Sequence, residues 1–272
     1  MSIAAVEFDY LRKLVKDFSA IDIDPDKEYL AELRLTRLLK DEGCESVQQL
    51  LEKLRTRAVG GMHHKVVDAM TNNETWFFRD FHPFEVLREV IIPEMMAKRA
   101  AERSLTFWSA ACSSGQEPYS IAMLLRENFF VPGWKFSIKA TDISTVILDR
   151  ARQATYSQME MNRGLPASHL GKYFIKNGLQ WTLKPEVRQM VEFEPANLAL
   201  PWTKTPATDV VFLRNVLIYF DIESRRQILA QVRRVLRPGG YLFLGGAETT
   251  MNIDNNFERV RFEKCACYRV KG

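Results

Sequence analysis

Through the first seventy positions, apolar residues recur every three or four places. Phe8, Leu11, Leu14, Val15 and Phe18 set this spacing and predict a helix over residues 6–18. The acidic stretch 21–26 breaks it, and a second helix is expected over 27–41, closed by Gly43. Ser46-Val47-Gln48-Gln49 has the form of a capping box ahead of Val47, Leu50, Leu51 and Leu54. Gly60-Gly61 reads as a loop before a short helix over 65–70. No two-residue alternation occurs in this stretch, so residues 1–71 are expected to form a small all-α domain. The polar residues 71–75 read as a connector. Trp76-Phe77-Phe78-Arg79 follows, then one helix over 81–103 that Pro93 would kink.

After position 104 the rhythm changes to short apolar runs alternating with helical periods. Strands are expected at 105–111, 136–141, 191–194, 209–213, 241–245 and 264–270. Helices are expected at 118–129, where Pro118 would open the helix, at 145–153 after Ser144, and at 223–236 after Asp221. This alternation implies an α/β fold with a mostly parallel, doubly wound sheet. Lys176-Asn177-Gly178 suits the turn of a tight hairpin. The organisation expected is therefore a helical domain (1–71), a linker (72–83) and an α/β domain (84–272).

Composition narrows the class. Of 272 residues, 46% are hydrophobic and 26% charged, which excludes a disordered chain. The longest uncharged run, residues 104–116, is too short and polar to span a membrane, and the N-terminus carries no apolar export signal. With four scattered cysteines there is no disulfide framework, so a cytoplasmic setting is expected. Cys265 and Cys267 lie too close together for a zinc knuckle and read as strand residues; no metal is expected. Residues 1–103 hold 16 basic and 19 acidic side chains, residues 104–272 hold 22 and 15, and the net charge is +4. That is no nucleic-acid footprint. No long exposed apolar stripe stands out, so a monomer is expected.

Ligands of open parallel sheets bind beyond the carboxyl ends of the strands. The first strand ends in Ser109-Ala110-Ala111-Cys112-Ser113-Ser114-Gly115-Gln116-Glu117, a small-residue turn that is not the glycine pattern of a pyrophosphate site. Glu117 at a helix start would repel a phosphate and suit a cationic amine. The second strand ends at Asp142, placed to accept from ribose hydroxyls. Two acids without a phosphate cradle point to a positively charged nucleoside cofactor such as S-adenosylmethionine. Arg214-Asn215-Val216-Leu217-Ile218-Tyr219-Phe220 replaces the Asn/Asp-Pro-Pro-Tyr expected of amino-group methyltransferases. Asn197-Leu198 could flank an adenine.

Four co-linear stretches carry a family resemblance. They are Asn73-Glu74-Thr75-Trp76-Phe77-Phe78-Arg79, the stretch from Ser109 to Ser120, Ala140-Thr141-Asp142-Ile143, and Arg214 to Phe220. Together they resemble the CheR-type chemotaxis receptor methyltransferases over nearly the whole chain. The resemblance implies a class I S-adenosylmethionine-dependent methyltransferase fold with a small β-subdomain at about 173–194, and a linker at 72–83 that contributes to the cofactor site. It implies transfer of methyl to glutamate side chains of chemoreceptor signalling helices, giving glutamyl methyl esters and S-adenosylhomocysteine. By motif position, Asn73, Thr75, Arg79, Ala111, Glu117, Asp142, Asn197, Leu198, Arg214 and Asn215 would contact the cofactor, and Arg79 and Tyr219 would face the reacting groups. A catalytically inactive cofactor- or receptor-binding relative is the alternative, and a nucleic-acid methyltransferase a more distant one.

The chemistry agrees. A glutamate carboxylate is already ionised at neutral pH and needs no general base; the sequence offers no Ser/His/Asp order or poised Cys/His pair, and His63, His64, His82 and His169 fall outside the motifs. Trp76-Phe77-Phe78 reads as packing between domains, or as a lid. Lys27, Arg34 and Arg37 share one sector of a helix and would suit an acidic receptor helix. The short hairpin turn lacks the longer glycine-containing loop linked with pentapeptide binding, so no tight C-terminal tether is expected.

Overall fold

A computed structural model describes residues 3–56, 58, 60–203 and 205–271. The chain divides into two compact units, Met1–Asn72 with Tyr219–Ser224, and Asn73–Ile218 with Arg225–Gly272. The smaller unit contains helices α1 (Ala5–Ser19), α2 (Glu28–Asp41), α3 (Val47–Thr56) and α4 (Gly61–Met70). Its core is built by the periodic residues: Phe8, Leu11, Leu35, Leu50, Leu54 and Val66 are all almost fully buried. Ser46 Oγ accepts from the Gln49 amide at 3.2 Å, and the Gln49 side chain accepts from the Glu45 amide rather than closing on Ser46.

The larger unit opens with α5 (His82–Val86) and α6 (Ile92–Lys98), separated by a π-helical turn over Leu87–Ile91. The single helix expected over 81–103 is thus interrupted. Pro93 has no amide hydrogen, and its ring would press on the Glu89 carbonyl in a regular α-helix. The wider turn, in which the Ile92 amide donates to Leu87 O, absorbs this locally.

The remaining elements are β1 (Ser104–Ala110), α7 (Gln116–Asn128), β2 (Lys135–Asp142), α8 (Thr145–Gln153), β3 (Thr155–Ser157), α9 (Gln158–Asn162) and α10 (Ala167–Tyr173). Then follow β4 (Phe174–Asn177), β5 (Gln180–Leu183), α11 (Pro185–Arg188), β6 (Val191–Pro195), β7 (Thr208–Leu213), α12 (Ile222–Val235), β8 (Leu236–Leu244), β9 (Phe257–Arg261) and β10 (Ala266–Val270). The main sheet has the order β6-β2-β1-β7-β8-β10-β9. Its first five strands are parallel and β10 and β9 antiparallel. The strand β7 is buried at every position, as suits a parallel strand covered on both faces.

A separate antiparallel sheet has the order β3-β5-β4. This corrects the subdomain limits read from sequence. The small sheet begins at Thr155, not near 173, and residues 191–194 belong to the main sheet as β6. Three-residue β3 is too short to show alternation. The β4–β5 turn is the two residues Gly178-Leu179, with Gly178 at φ 60°.

Phe77 packs edge-on against Tyr156 and Phe174, with centroids 5.0 and 5.6 Å away, and Phe78 against Phe84 and His169. The reading of these aromatics as packing between domains is therefore corrected: their partners lie inside the larger unit, and Phe77 and Phe78 are part of its core. No helix among the described residues is long and apolar enough to cross a membrane, and no group of three potential ligands there could hold a metal.

Candidate active site

The chain leaves β1 toward β2 on one side and enters β7 on the other, so the sheet's topological switch lies between β1 and β7. The backbone there adopts uncommon conformations. Ala111 (φ 56°), Ser113 (φ 50°) and Gly115 (φ 92°) follow β1, and Asn215 (φ 58°) follows β7. Non-glycine residues held in the left-handed region need surrounding structure to keep them there. The turn after β1 has that support. The Cys112 amide donates to Thr141 O at 2.9 Å, the Ser113 amide to Asp142 Oδ2 at 2.9 Å, Ser113 Oγ to Asn73 O at 2.8 Å, and Tyr156 Oη to Ser114 O at 2.9 Å. A Cβ on Gly115 would also press to 3.1 Å from Ala151 and Tyr119.

Helix α7 begins at Gln116, two residues earlier than expected, and this places Glu117 in its first turn. Glu117 is buried. Ser109 Oγ donates to its Oε1 at 2.8 Å and Arg214 Nη1 to its Oε2 at 3.1 Å. Burial pushes the Glu117 carboxyl above the usual range, against the pull of Arg214 and Ser109. The Arg214 side chain is 1% exposed. Its Nη2 donates to Asp80 Oδ2 at 2.7 Å and to Arg79 O at 2.9 Å. Its two Nη atoms thus hold Glu117, Asp80 and the Arg79 carbonyl, while its Nε is buried without a partner.

Asp142 ends β2 and is also buried. Its Oδ1 accepts from the Ser144 amide at 3.0 Å, its Oδ2 from Ser113. Burial raises its pKa, opposed by these backbone donors. Asn197 Oδ1 accepts from the Ala199 amide, and Leu198 is buried beside it in the loop after β6. The Arg79 guanidinium lies over the Trp76 ring at 4.2 Å and donates from Nη1 to Glu74 O at 3.0 Å. Arg163 covers the same ring at 3.9 Å and pairs with Glu74 at 2.7 Å.

The sequence reading missed Glu248, which follows β8. One oxygen, Oε2, accepts from the amides of Asn215 (2.7 Å) and Gly245 (2.6 Å); the other, Oε1, from Val216 (2.8 Å) and Ile218 (3.3 Å). This single carboxylate holds Asn215 in its left-handed conformation. The signal available was Gly245-Gly246-Ala247-Glu248 directly after a strand. A Cβ on Gly245 would lie 2.6 Å from Asn215 Nδ2 and 2.8 Å from Glu248 Oε2.

The hydrogen bonds link Asn73, Arg79, Glu117, Asp142, Arg214 and Asn215 through their own atoms or immediate neighbours, with Ala111 in the same turn and Thr75 in the segment between Asn73 and Arg79. Tyr219 belongs to the smaller unit, where its hydroxyl accepts from Asn72 Nδ2 at 2.6 Å and its carbonyl from the Asp22 amide. Of the basic helix residues, Lys27 and Arg37 are exposed. Arg34 departs from the expected free stripe: it is half-buried and donates to Met70 O at 2.6 Å, closing the end of α4.

Arg79 Nε and Asn215 Oδ1 are buried and have no hydrogen-bond partner. Buried polar atoms rarely go unpaired, so a donor and an acceptor left open beside a buried acid fit a zwitterionic ligand. An α-amino acid end suits them: its carboxylate to Arg79 and its ammonium to Asn215 and Glu117.

The model of the CheR methyltransferase all-alpha domain matches residues 6–71, and that of the CheR methyltransferase SAM binding domain matches residues 73–266. The chain belongs to the CheR methyltransferase family. It is 40% identical to chemotaxis protein methyltransferase 1 of Pseudomonas aeruginosa and 37% identical to a chemotaxis protein methyltransferase of Pseudomonas putida, in each case over 100% of both chains. It is 31% identical to the chemotaxis protein methyltransferase of Escherichia coli over 94% of this chain and 89% of that one. It is an S-adenosylmethionine-dependent methyltransferase of chemotaxis, with an α/β fold, a helical N-terminal domain and a small antiparallel sheet.

Proposed function

We propose that this enzyme methylates glutamate side chains on the cytoplasmic helices of chemoreceptors, as a monomer acting in the cytoplasm. Bound S-adenosylmethionine would supply a methyl group on a sulfonium, already activated for displacement. The chain's own residues then have three tasks. Glu117 and Asn215 take the cofactor's ammonium and Asp142 its ribose hydroxyls, with Asn73, Thr75, Ala111, Asn197 and Leu198 completing the pocket and Arg214 holding Glu117 in place. Arg79 and Tyr219 orient the attacking carboxylate. Lys27 and Arg37, with Arg34 beside them, draw in an acidic helix.

The attacking carboxylate oxygen forms the C–O bond as the S–CH₃ bond breaks, and no proton moves. Positioning is accordingly the main contribution, worth several kcal/mol. The observation that carries this reading is the open Nε of Arg79 and Oδ1 of Asn215 beside the buried Glu117–Arg214 pair. The small hairpin turns on two residues, Gly178 and Leu179, and we propose no tight peptide tether there.

Calorimetry of S-adenosylmethionine binding and transfer to receptor-containing membranes test it together. Asp142→Ala is expected to lose both binding and transfer. Tyr219→Phe should keep cofactor affinity and lower the transfer rate. Cofactor binding by the wild type without any transfer to protein would instead favour an inactive relative.

A further inference from the structure

Beside the site lies a cavity of about 570 Å³. One wall is the edge hairpin of the main sheet. Arg259 faces Tyr268 and Arg261 faces Ala266 across the β9–β10 pair, and all four line the cavity, with Lys264 from the connecting turn. The opposite wall includes Asp80, Arg214 and Glu248. The cavity therefore reaches the same arginine that holds the Arg79 backbone.

The charges in this cavity are unequal. Asp80 is engaged by Arg214, and Glu248 accepts from four backbone amides. His82 is paired with Glu85. Arg259, Arg261 and Lys264 are exposed and have no hydrogen-bond or ion-pair partner among the described residues; Glu263 is the acid on this wall left to oppose them. Three free cations thus line a cleft at the same strand ends that carry Glu117 and Asp142. Such a surface complements an acidic chain.

We propose that the β9–β10 face is a docking surface for an acidic segment of the methyl-accepting protein, adjoining the glutamate that is methylated. This rests on the receptor-methylation reading above and names a further part of its substrate site. The three cations hold acidic neighbours of the reacting glutamate while the cofactor pocket stays unchanged.

The test uses the full chain, radiolabelled S-adenosylmethionine and receptor-containing membranes of the source organism. R259E/R261E/K264E should raise KM for receptor at least tenfold, with kcat and calorimetric cofactor affinity within about twofold of wild type. The charge-preserving R259K/R261K/K264R should restore most of the KM. As a measurement independent of any variant, wild-type KM for receptor should climb steeply between 0.05 and 0.3 M salt while cofactor affinity does not. Unchanged KM in the charge-reversed enzyme, or a flat salt response, overturns the docking surface and leaves receptor methylation standing. Tight binding of inorganic phosphate through these residues, with receptor KM unaltered, also overturns it and assigns the cavity to a small anion. Absence of any transfer by the wild type sinks the receptor reading itself, and the docking surface with it.

Discussion

Arg214 Nη1 donates to Glu117 Oε2 at 3.1 Å, deep in the larger unit and 97 positions apart in sequence. Both were expected to touch the cofactor, yet the arginine is 1% exposed and already holds Asp80 and the Arg79 carbonyl. The pair fixes Glu117 in place as a buried acid, and burial sets its proton affinity high.

A pH dependence follows from that burial. The carboxyls of Glu117 and Asp142 both sit above the usual range in the free protein. An acid whose folded pKa is raised stabilises the fold below its unfolded value and loses that contribution as pH rises through the raised one. Cofactor binding runs the other way, because the ammonium needs Glu117 ionised. Affinity for S-adenosylmethionine should be full above the raised pKa and fall by up to about tenfold per pH unit below it. Glu117→Gln should bind roughly 10–100-fold more weakly at neutral pH, the range of a lost charged hydrogen bond, with a flatter acid limb. Calorimetry between pH 5 and 8 measures both. An unchanged acid limb in Glu117→Gln would assign the titration to Asp142.

Glu248 supports the loop after β7 in a way that an amide cannot copy. Each of its oxygens accepts two backbone N–H groups, so Glu248→Gln turns an NH₂ toward two donors. Glu248→Gln and Glu248→Ala should therefore both lose about 1–3 kcal/mol of stability, and both should weaken cofactor binding. Denaturant titration compares them. A Glu248→Gln protein indistinguishable from wild type would contradict the assignment.

Asp209 is a structural counterpart at the other end of β7. Its side chain is 0% exposed and accepts from Arg99 Nε (3.0 Å), Arg237 Nη1 (2.9 Å) and the Thr106 amide (2.9 Å). Asp209→Ala leaves two cations without their acid and should cost about 3–5 kcal/mol, read as a lower denaturation midpoint. Cofactor affinity of the remaining folded protein should change little, since this end of the strand is remote from the site.

Much of this was legible in the sequence. The helical unit could be read because Leu11, Leu35 and Leu50 repeat at a period that only a helix buries on one face. The ends of β1 and β2 could be read because small residues and lone acids at strand ends have few other uses in a parallel sheet. What could not be read depends on distant partners. Nothing near Arg214 announces that its guanidinium will be spent on Glu117. Glu248 looks like any loop acid until its four amide donors are folded around it. Trp76 looked like domain packing because Arg163, which covers one of its faces, lies 87 residues on in no motif. The strand at Thr155–Ser157 is defined by its pairing with Gln180–Thr182 rather than by its own pattern. The π-turn answers Pro93, which shows only that a regular helix must be disturbed.

The chemistry of the transferred methyl tests the central claim most directly. Receptor-containing membranes of the source organism are incubated with the enzyme and S-adenosylmethionine labelled in its methyl group, and the labelled protein is then exposed to mild base. An ester on a glutamate carboxylate releases the label as volatile methanol, and Arg79→Ala or Asp142→Ala enzyme should place little label there to release. Label that reaches protein but resists base would contradict carboxyl methylation while leaving cofactor use intact.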